Sequence, residues 1–307
     1  MADTAVRIAY VRSVLPTLES ALHSFTNSSS TFRIVRTINP TTTPPKTLYI
    51  LDSSFNPPSI AHLALATSAL RDSSPTDAPP HRLLLLFATQ NADKAPSPAS
   101  YTHRLALMIL FAEDLSRFLV SQSSSSPKSD LSSISIDIGL TTAPYYTDKS
   151  TAIATSEPPA YPSSPVHVHL VGFDTLVRFC NSKYYPKHTP PLSALVPLFG
   201  AGHKLRVTER PADASDASSD AYGSVESQRE YVDNLAQGGL EDEGFRSEWA
   251  RQIDLVSAAE GTGVSSTRVR RAAEGGEWEV VGRLCTEGVS AYVREARLYR
   301  KEEDGTR

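Results

Sequence analysis

The sequence predicts an α/β fold: a Rossmann-like parallel sheet with helices on both faces. Three observations carry this. Short apolar runs of strand length alternate with helix-periodic segments along most of the 307 residues. One run, Arg82 to Ala88 (RLLLLFA), reads as a strand buried in the middle of such a sheet. The polar motifs that could carry chemistry fall near the strands' carboxyl ends, where ligand sites of open α/β sheets lie.

Composition narrows the class. With 40% hydrophobic and 21% charged residues, the chain has the make-up of a soluble globular protein. No run of eighteen apolar residues exists, which excludes a membrane-spanning helix. Arg7 and Arg12 interrupt the only apolar stretch at the N-terminus, so no secretory signal is expected, and the expected location is cytoplasmic and/or nuclear. Cys180 and Cys285 are far apart and match no metal or redox spacing; they read as inert thiols in a reducing compartment. A net charge of −4 argues against a general nucleic-acid binder. A polyanion site must therefore be made locally, by a few placed cations. The spacing gives no oligomeric state.

Taken in order, Val6, Tyr10, Val14, Leu18, Leu22 and Phe25 lie at near-helical spacing, with a break expected at Pro16. Phe32 to Ile38 reads as a strand. Residues 1–46 form a helix-and-strand extension of one domain that occupies 47–307. Leu48 to Leu51 is a buried strand and a helix follows it to Leu70. After the Arg82–Ala88 strand come a polar loop and a periodic helix from Thr102 to about Leu119. Residues near 121–133 are low-complexity and expected to be disordered. Strands follow at Ile134–Leu140, Val166–Val171, Leu205–Thr208 and Ile253–Val256. Helices are expected near Thr151–Thr155, Thr175–Cys180 and Leu192–Phe199. Residues 211–244, rich in Ala, Ser, Asp, Glu and Gly, read as a long mobile insertion with at most one helix near Val225–Leu235. A helical tail opens after Val264.

The organising stretch is Thr47 to Leu70, TLYILDSSFNPPSIAHLALATSAL. Pro57 and Pro58 stop the strand, and Ser59 is a good N-cap. His62 then falls in the first helical turn, where imidazole, free backbone N–H groups and the positive helix end can all hold an anion. The second signal is VSSTRVR, Val264 to Arg270. Ser266 or Thr267 would cap a helix, and Arg270 shares their face at i+4 and i+3. Two readings stand: a di- or triphosphate grip, or a capped surface helix with solvated arginines. The third, Gly172-Phe173-Asp174, is either a strand exit with Asp174 as N-cap or a sugar-binding carboxylate. Lys94 sits in a polar loop that follows a strand, where a lysine is ordinarily just solvated. His167 and His169 share a strand face, but with no third ligand in sight they read as a buried, hydrogen-bonded pair.

The stretch S-F-N-P-P-x-x-x-H-L resembles the first signature of the HxGH nucleotidyltransferases, and more closely that of the nicotinamide mononucleotide adenylyltransferase family. Ser53 stands where that family usually has Gly, and Ser59 where it has His or Thr. V-S-S-T-x-x-R is similar to the family's late signature, and LCTEGVSAYVREARLY resembles its ending. Tyr101-Thr102-His103-Arg104-Leu105 resembles its S-H-R-L helix start. The resemblance covers most of the chain from Thr47 to Tyr299. It implies an HxGH nucleotidyltransferase fold that transfers adenylyl from ATP to nicotinamide mononucleotide, yielding NAD and pyrophosphate.

It also implies the residue roles. His62 would be catalytic. Ser53, Ser54, Phe55, Asn56, Ser59, Ser266, Thr267 and Arg270 would hold ATP or its phosphates. Lys94, Tyr146, Gly172, Asp174 and Arg210 would face the mononucleotide; Tyr145 and Tyr146 lie where the family stacks an aromatic on nicotinamide, or are loop packing, and Arg104 would make a supporting ion pair or a second phosphate contact. Mg2+ would enter with ATP, held mainly by the triphosphate, since no carboxylate cage is visible and no protein metal site is expected. The alternatives are a related transferase with another acceptor, a nucleotide-binding or ATP-hydrolysing protein without transfer activity, and an interaction protein using its insertions.

Overall fold

The structure, a computed structural model, describes residues 2–90, 99–123, 131, 134–211, 223–258, 261 and 263–300. The chain opens with α1 (Ala2–Ser13) and α2 (Leu15–Thr26), parted at Val14 because Pro16 lies in the first turn of the second helix. Next come β1 (Phe32–Ile38), β2 (Thr47–Asp52), α3 (Ile60–Arg71) and β3 (His81–Ala88). Then follow α4 (Tyr101–Ser123), β4 (Ser135–Thr141), α5 (Tyr146–Ala154), β5 (Val166–Gly172) and α6 (Phe173–Phe179). The chain continues through α7 (Val196–Gly200), β6 (Lys204–Thr208), α8 (Val225–Ala236) and β7 (Ile253–Val256). It ends in α9 (Ser266–Glu274), α10 (Trp278–Leu284) and α11 (Glu287–Glu295).

The strands form one seven-stranded sheet in the order β1-β4-β3-β2-β5-β6-β7, parallel except for β1, which lies antiparallel to β4 at one edge. Beside that edge strand, the chain steps outward from β2 to β3 to β4 and then returns to place β5 on the other side of β2. The carboxyl ends of β2 and β5 are therefore a topological switch point, where a crevice opens in doubly wound sheets.

Both faces are covered, and the strand alternation shows how. Tyr49 and Leu51 of β2 join a core made with α1 to α4 and α9 to α11, while Leu48 and Ile50 point to the opposite face and pack with α5. Farther along that second face, Val171, Leu205 and Val207 pack against α6, α7 and α8. β2 is buried on both faces, which is why TLYILD carries no charged residue before its last position and the Thr47 and Tyr49 hydroxyls are both hydrogen-bonded.

Four sequence expectations change. The helix expected at Thr151 begins at Tyr146. The Leu192–Phe199 segment is a 3-10 turn, Pro191–Leu195, followed by the five-residue α7, because Pro197 lacks the N–H that would continue one helix. Gly172, not Asp174, caps α6, since the strand runs one residue farther and the helix starts at once. The 211–244 stretch is not a loose insertion through its second half. α8 and a 3-10 turn at Glu241–Glu243 pack against the second face, with Gln228, Leu235 and the following Phe245 buried. Residues 212–222, and most of 121–133, lie outside the described residues.

Candidate active site

A cleft of about 280 Å³ lies at the switch point. β2 supplies Leu51, Asp52 and Ser53 just beyond it; α3 supplies Ala61, His62 and Leu65; β5 and α6 supply Leu170 to Gly172, Asp174 and Thr175. The exit of β6 adds Thr208 to Pro211, α5 adds Tyr146, and the mouth of α9 adds Gly263 to Ser266. Two helix N-termini, α3 and α9, thus open toward one space. The first-turn N–H groups and positive dipole ends there suit an anionic ligand.

The turn between β2 and α3 is held by its own side chains. Phe55 has φ of +44°, a conformation that costs a non-glycine residue about 1–3 kcal/mol, and its ring is fully buried against the His62 imidazole, centroids 5.4 Å apart. The Ser59 N–H donates to His62 Nδ1 at 3.0 Å, and His62 Nε2 lies 2.8 Å from Ser53 Oγ. Burial lowers the His62 pKa to about 4, so the ring is neutral at physiological pH.

The α9 mouth is fastened to that turn by residues more than two hundred positions away. The Ser59 hydroxyl donates to Val264 O (3.3 Å), and the Ser266 hydroxyl to Pro57 O (2.8 Å). One guanidinium nitrogen of Arg270 donates to Asn56 O (2.9 Å) and the other to Thr267 Oγ1 (3.0 Å). The Tyr299 hydroxyl reaches Asn56 Oδ1 at 2.9 Å. The cap of α9 is Ser265, whose Oγ accepts the Arg268 N–H; neither Ser266 nor Thr267 caps it, because the helix begins at Ser266 itself.

The β5 side is built on charge. Asp174 pairs with Arg178 at 3.1 Å and more loosely with Arg210 at 3.9 Å. The Arg210 backbone is clamped at both N–H and carbonyl by the buried Gln228 side chain, at 2.9 and 2.8 Å. Glu209 pairs with Arg229, and Asp52 forms a buried ion pair with Lys149. Tyr146 is raised well above its usual pKa, by burial first and by the Asp52 and Asp174 carboxylates, while Arg178 opposes; its ring lies edge-on over His169.

The structure therefore brings Ser53, His62, Tyr146, Gly172, Asp174, Arg210 and Ser266 together around one cleft. Phe55, Asn56 and Ser59 stand behind it as buried braces; Arg270 ties them to α9 from outside the lining. Ser54 and Thr267 are exposed and off the lining. Lys94 lies outside the described residues. Tyr145 packs with Tyr185 behind Tyr146. Asp52, Thr175 and Glu209 also line the cleft and were missed. Asp52 and Glu209 each sit at a strand's carboxyl end, which was the signal that could have found them. Lys149 and Gln228, which hold cleft residues in place, carry no such signal. His167 is stacked on His203 at 4.1 Å rather than paired with His169, which instead meets Ser150 at 2.7 Å. Among the described residues no group of three or more His, Cys, Asp or Glu could hold a metal ion, and no helix is long and apolar enough to cross a membrane.

No protein-family model matches the chain. Over 257 residues, 83% of this chain and 87% of the other, it is 28% identical to a Schizosaccharomyces pombe protein named putative nicotinamide mononucleotide adenylyltransferase. Among solved structures it is similar to the Plasmodium falciparum nicotinic acid mononucleotide adenylyltransferase complexed with NaAD. That likeness has a TM-score of 0.45 at 13% identity and covers 83% of this chain and 97% of that one. A nicotinate-nucleotide adenylyltransferase named as putative, from Vibrio parahaemolyticus, gives 0.38 at 16% identity, covering 84% and 97%. Over most of its length the chain is therefore similar to a protein that carries the nicotinamide mononucleotide adenylyltransferase name.

Proposed function

We propose that this protein transfers the adenylyl group of ATP to nicotinamide mononucleotide, giving NAD and pyrophosphate. The observation that carries the reading is the meeting of the α3 and α9 mouths, with His62 and Ser266, in one cleft at the switch point of the sheet. In the reaction a mononucleotide phosphate oxygen attacks the α-phosphorus, the bond from that phosphorus to the bridging oxygen breaks, and pyrophosphate leaves. No covalent nucleophile is required. Positioning and neutralisation of charge supply the catalysis.

The donors divide by side. The α3 and α9 mouths face the triphosphate, with the Ser53–His62 pair near the reacting phosphoryl group and the Ser265–Ser266 turn near the leaving β- and γ-phosphates. Asp174 and Arg210 face the mononucleotide, the carboxylate toward ribose hydroxyls and the guanidinium toward its phosphate. Tyr146 offers a ring for the pyridine. Each carboxylate on the lining already has a cationic partner, which supports reading Mg2+ as entering with ATP and being held mainly by its triphosphate. Ser59, where the family motif carries a second donor, is fully buried with its hydroxyl turned to Val264. One missing donor lowers such a rate by about a hundred- to a thousandfold, so slow turnover is expected.

The test is the purified protein with MgATP and either nicotinamide or nicotinate mononucleotide, with dinucleotide, pyrophosphate and phosphate measured together. Dinucleotide and pyrophosphate in equal amounts, greater with the amide, are expected. Dinucleotide only from the nicotinate would move the acceptor. ATP binding or phosphate release without any dinucleotide would overturn the transferase.

A further inference from the structure

The Ser53 side chain occupies a place that the signature motif leaves to a glycine, and it changes what the imidazole behind it can do. The Ser59 backbone N–H can only donate, and it lies 3.0 Å from His62 Nδ1; the Ser59 hydroxyl is also 3.0 Å from that nitrogen but has Val264 O to donate to, so Nδ1 accepts from the N–H. A neutral ring then carries its single proton on Nε2. That nitrogen is 2.8 Å from Ser53 Oγ, so the hydroxyl receives the proton-bearing side of the ring. A hydroxyl that accepts a hydrogen bond still has its own O–H to give, and gives it more strongly for being polarised. The imidazole packs between Phe55 and Phe111, with ring centroids 5.4 and 6.4 Å away, and its Nε2 edge meets the cleft beside the serine. Ser53, just beyond the carboxyl end of β2, is only partly buried and lines the cleft.

We infer that the Ser53 hydroxyl is the catalytic donor to the transferring phosphoryl group, and that His62 is the positioning residue that holds and polarises it. The chain Ser59 N–H, His62, Ser53, phosphoryl oxygen carries hydrogen bonds in one direction, with no net proton transfer. This rests on the transferase reading, and the experiment separates the two.

Steady-state kinetics are compared for wild type, Ser53→Ala, Ser53→Thr, His62→Ala and the double variant Ser53→Ala/His62→Ala. The expected result for Ser53→Ala is a loss of about a hundredfold in kcat with the KM for ATP within about twofold, since the donor acts on charge formed in the transition state. Ser53→Thr, which keeps the hydroxyl, should retain most of kcat. The double variant should be no slower than the slower single one, because the two residues act as one unit. A Ser53→Ala variant as fast as wild type, or losses that multiply in the double variant, would overturn the inference and put His62 directly on the substrate. A 15N spectrum of the free protein reads the arrangement without turnover: His62 should be protonated at Nε2, and the Nε2–H resonance should move in Ser53→Ala. A proton found on Nδ1 overturns the relay even if NAD is made. A wild type with this tautomer that makes no dinucleotide overturns the transferase reading instead.

Discussion

The two sides of the cleft are fastened in different ways. On the α3/α9 side, hydrogen bonds to backbone atoms join residues more than two hundred positions apart: the Ser266 and Ser59 hydroxyls to Pro57 O and Val264 O, and the Arg270 guanidinium to Asn56 O. On the β5/β6 side, ion pairs do the joining: Asp174 with Arg178 and Arg210, and Glu209 with Arg229, while the buried Asp52–Lys149 pair ties the end of β2 to α5 between the two sides. Backbone-directed bonds fix a geometry and tolerate changes of salt and pH. Ion pairs at a cleft edge are tunable and depend on what else is charged nearby. Under the proposed reaction, the contrast would put the triphosphate on the first side and acceptor choice on the second.

Acid should produce the largest effect, chiefly beneath the β5 side. His167 and His203 are stacked and buried there, with pKa values lowered to about 3 and about 4, by burial and, for His167, also by its neighbour. His62, across the cleft, is lowered to about 4. Each folded-state value lies below the ordinary 6.5, so the unfolded chain binds more protons as pH falls through 6.5. Stability is complete above about pH 6.5 and is lost toward pH 4, by about 1.4 kcal/mol per pH unit for each histidine. Thermal melting across that range should show the fall. His203→Gln, which keeps an acceptor for the His167 N–H, should make it shallower. A flat profile would show that these rings titrate without opening the fold.

Breaking the Asp52–Lys149 pair comes next. Lys149→Met leaves a buried carboxylate beside Ser53 and should destabilise the fold by about 3–5 kcal/mol. Asp52→Asn combined with it should recover most of the loss. Melting temperatures of the three variants decide this; a double variant as unstable as Lys149→Met would mean the loss comes from packing around Tyr146 rather than from charge.

Much of the first side was legible in the sequence, and less of the second. Strand–turn–helix at Thr47–Leu70 and the S-S-T-x-x-R run announce themselves because a proline stop, an N-cap and an i+4 arginine are local requirements. The strands were legible too, since Leu48–Leu51 and Arg82–Ala88 must be apolar to lie buried within the sheet. Gln228 was not legible: a polar residue in a segment of low-complexity composition gives no sign that it will clamp the Arg210 backbone from eighteen residues away. Nor was the direction of Ser59 and Arg270. Spacing put the guanidinium on the face of two hydroxyls, but tertiary packing gave it Asn56 O as a partner, which no periodicity encodes.

Arg270→Ala tests that fastening. Loss of a charged fork from Asn56 O should cost about 1.5–3 kcal/mol in stability. It should also lower kcat more than it raises either KM, because the α9 mouth is no longer held against the turn. Arg270→Lys, with one compact ammonium, should fall between the two. An equal loss of affinity for ATP with kcat unchanged would place Arg270 on the substrate instead of on the turn.

The smallest effect on stability is expected from Asp174→Asn, and it is the sharpest probe of the contrast. Asp174 is partly exposed and its pairs with Arg178 and Arg210 are of the kind that contribute about 0–1 kcal/mol, so the melting temperature should barely move. The KM for the mononucleotide should nevertheless rise while that for ATP stays put, since the amide accepts more weakly from ribose hydroxyls and releases Arg210 from its partner. Because the interaction is electrostatic and near solvent, raising salt should shrink the difference between Asp174→Asn and wild type; the Arg270→Ala defect, rooted in backbone geometry, should persist. If salt erased both defects alike, the two sides would not be built on different physics, and the division of labour between triphosphate and acceptor would have to be drawn elsewhere.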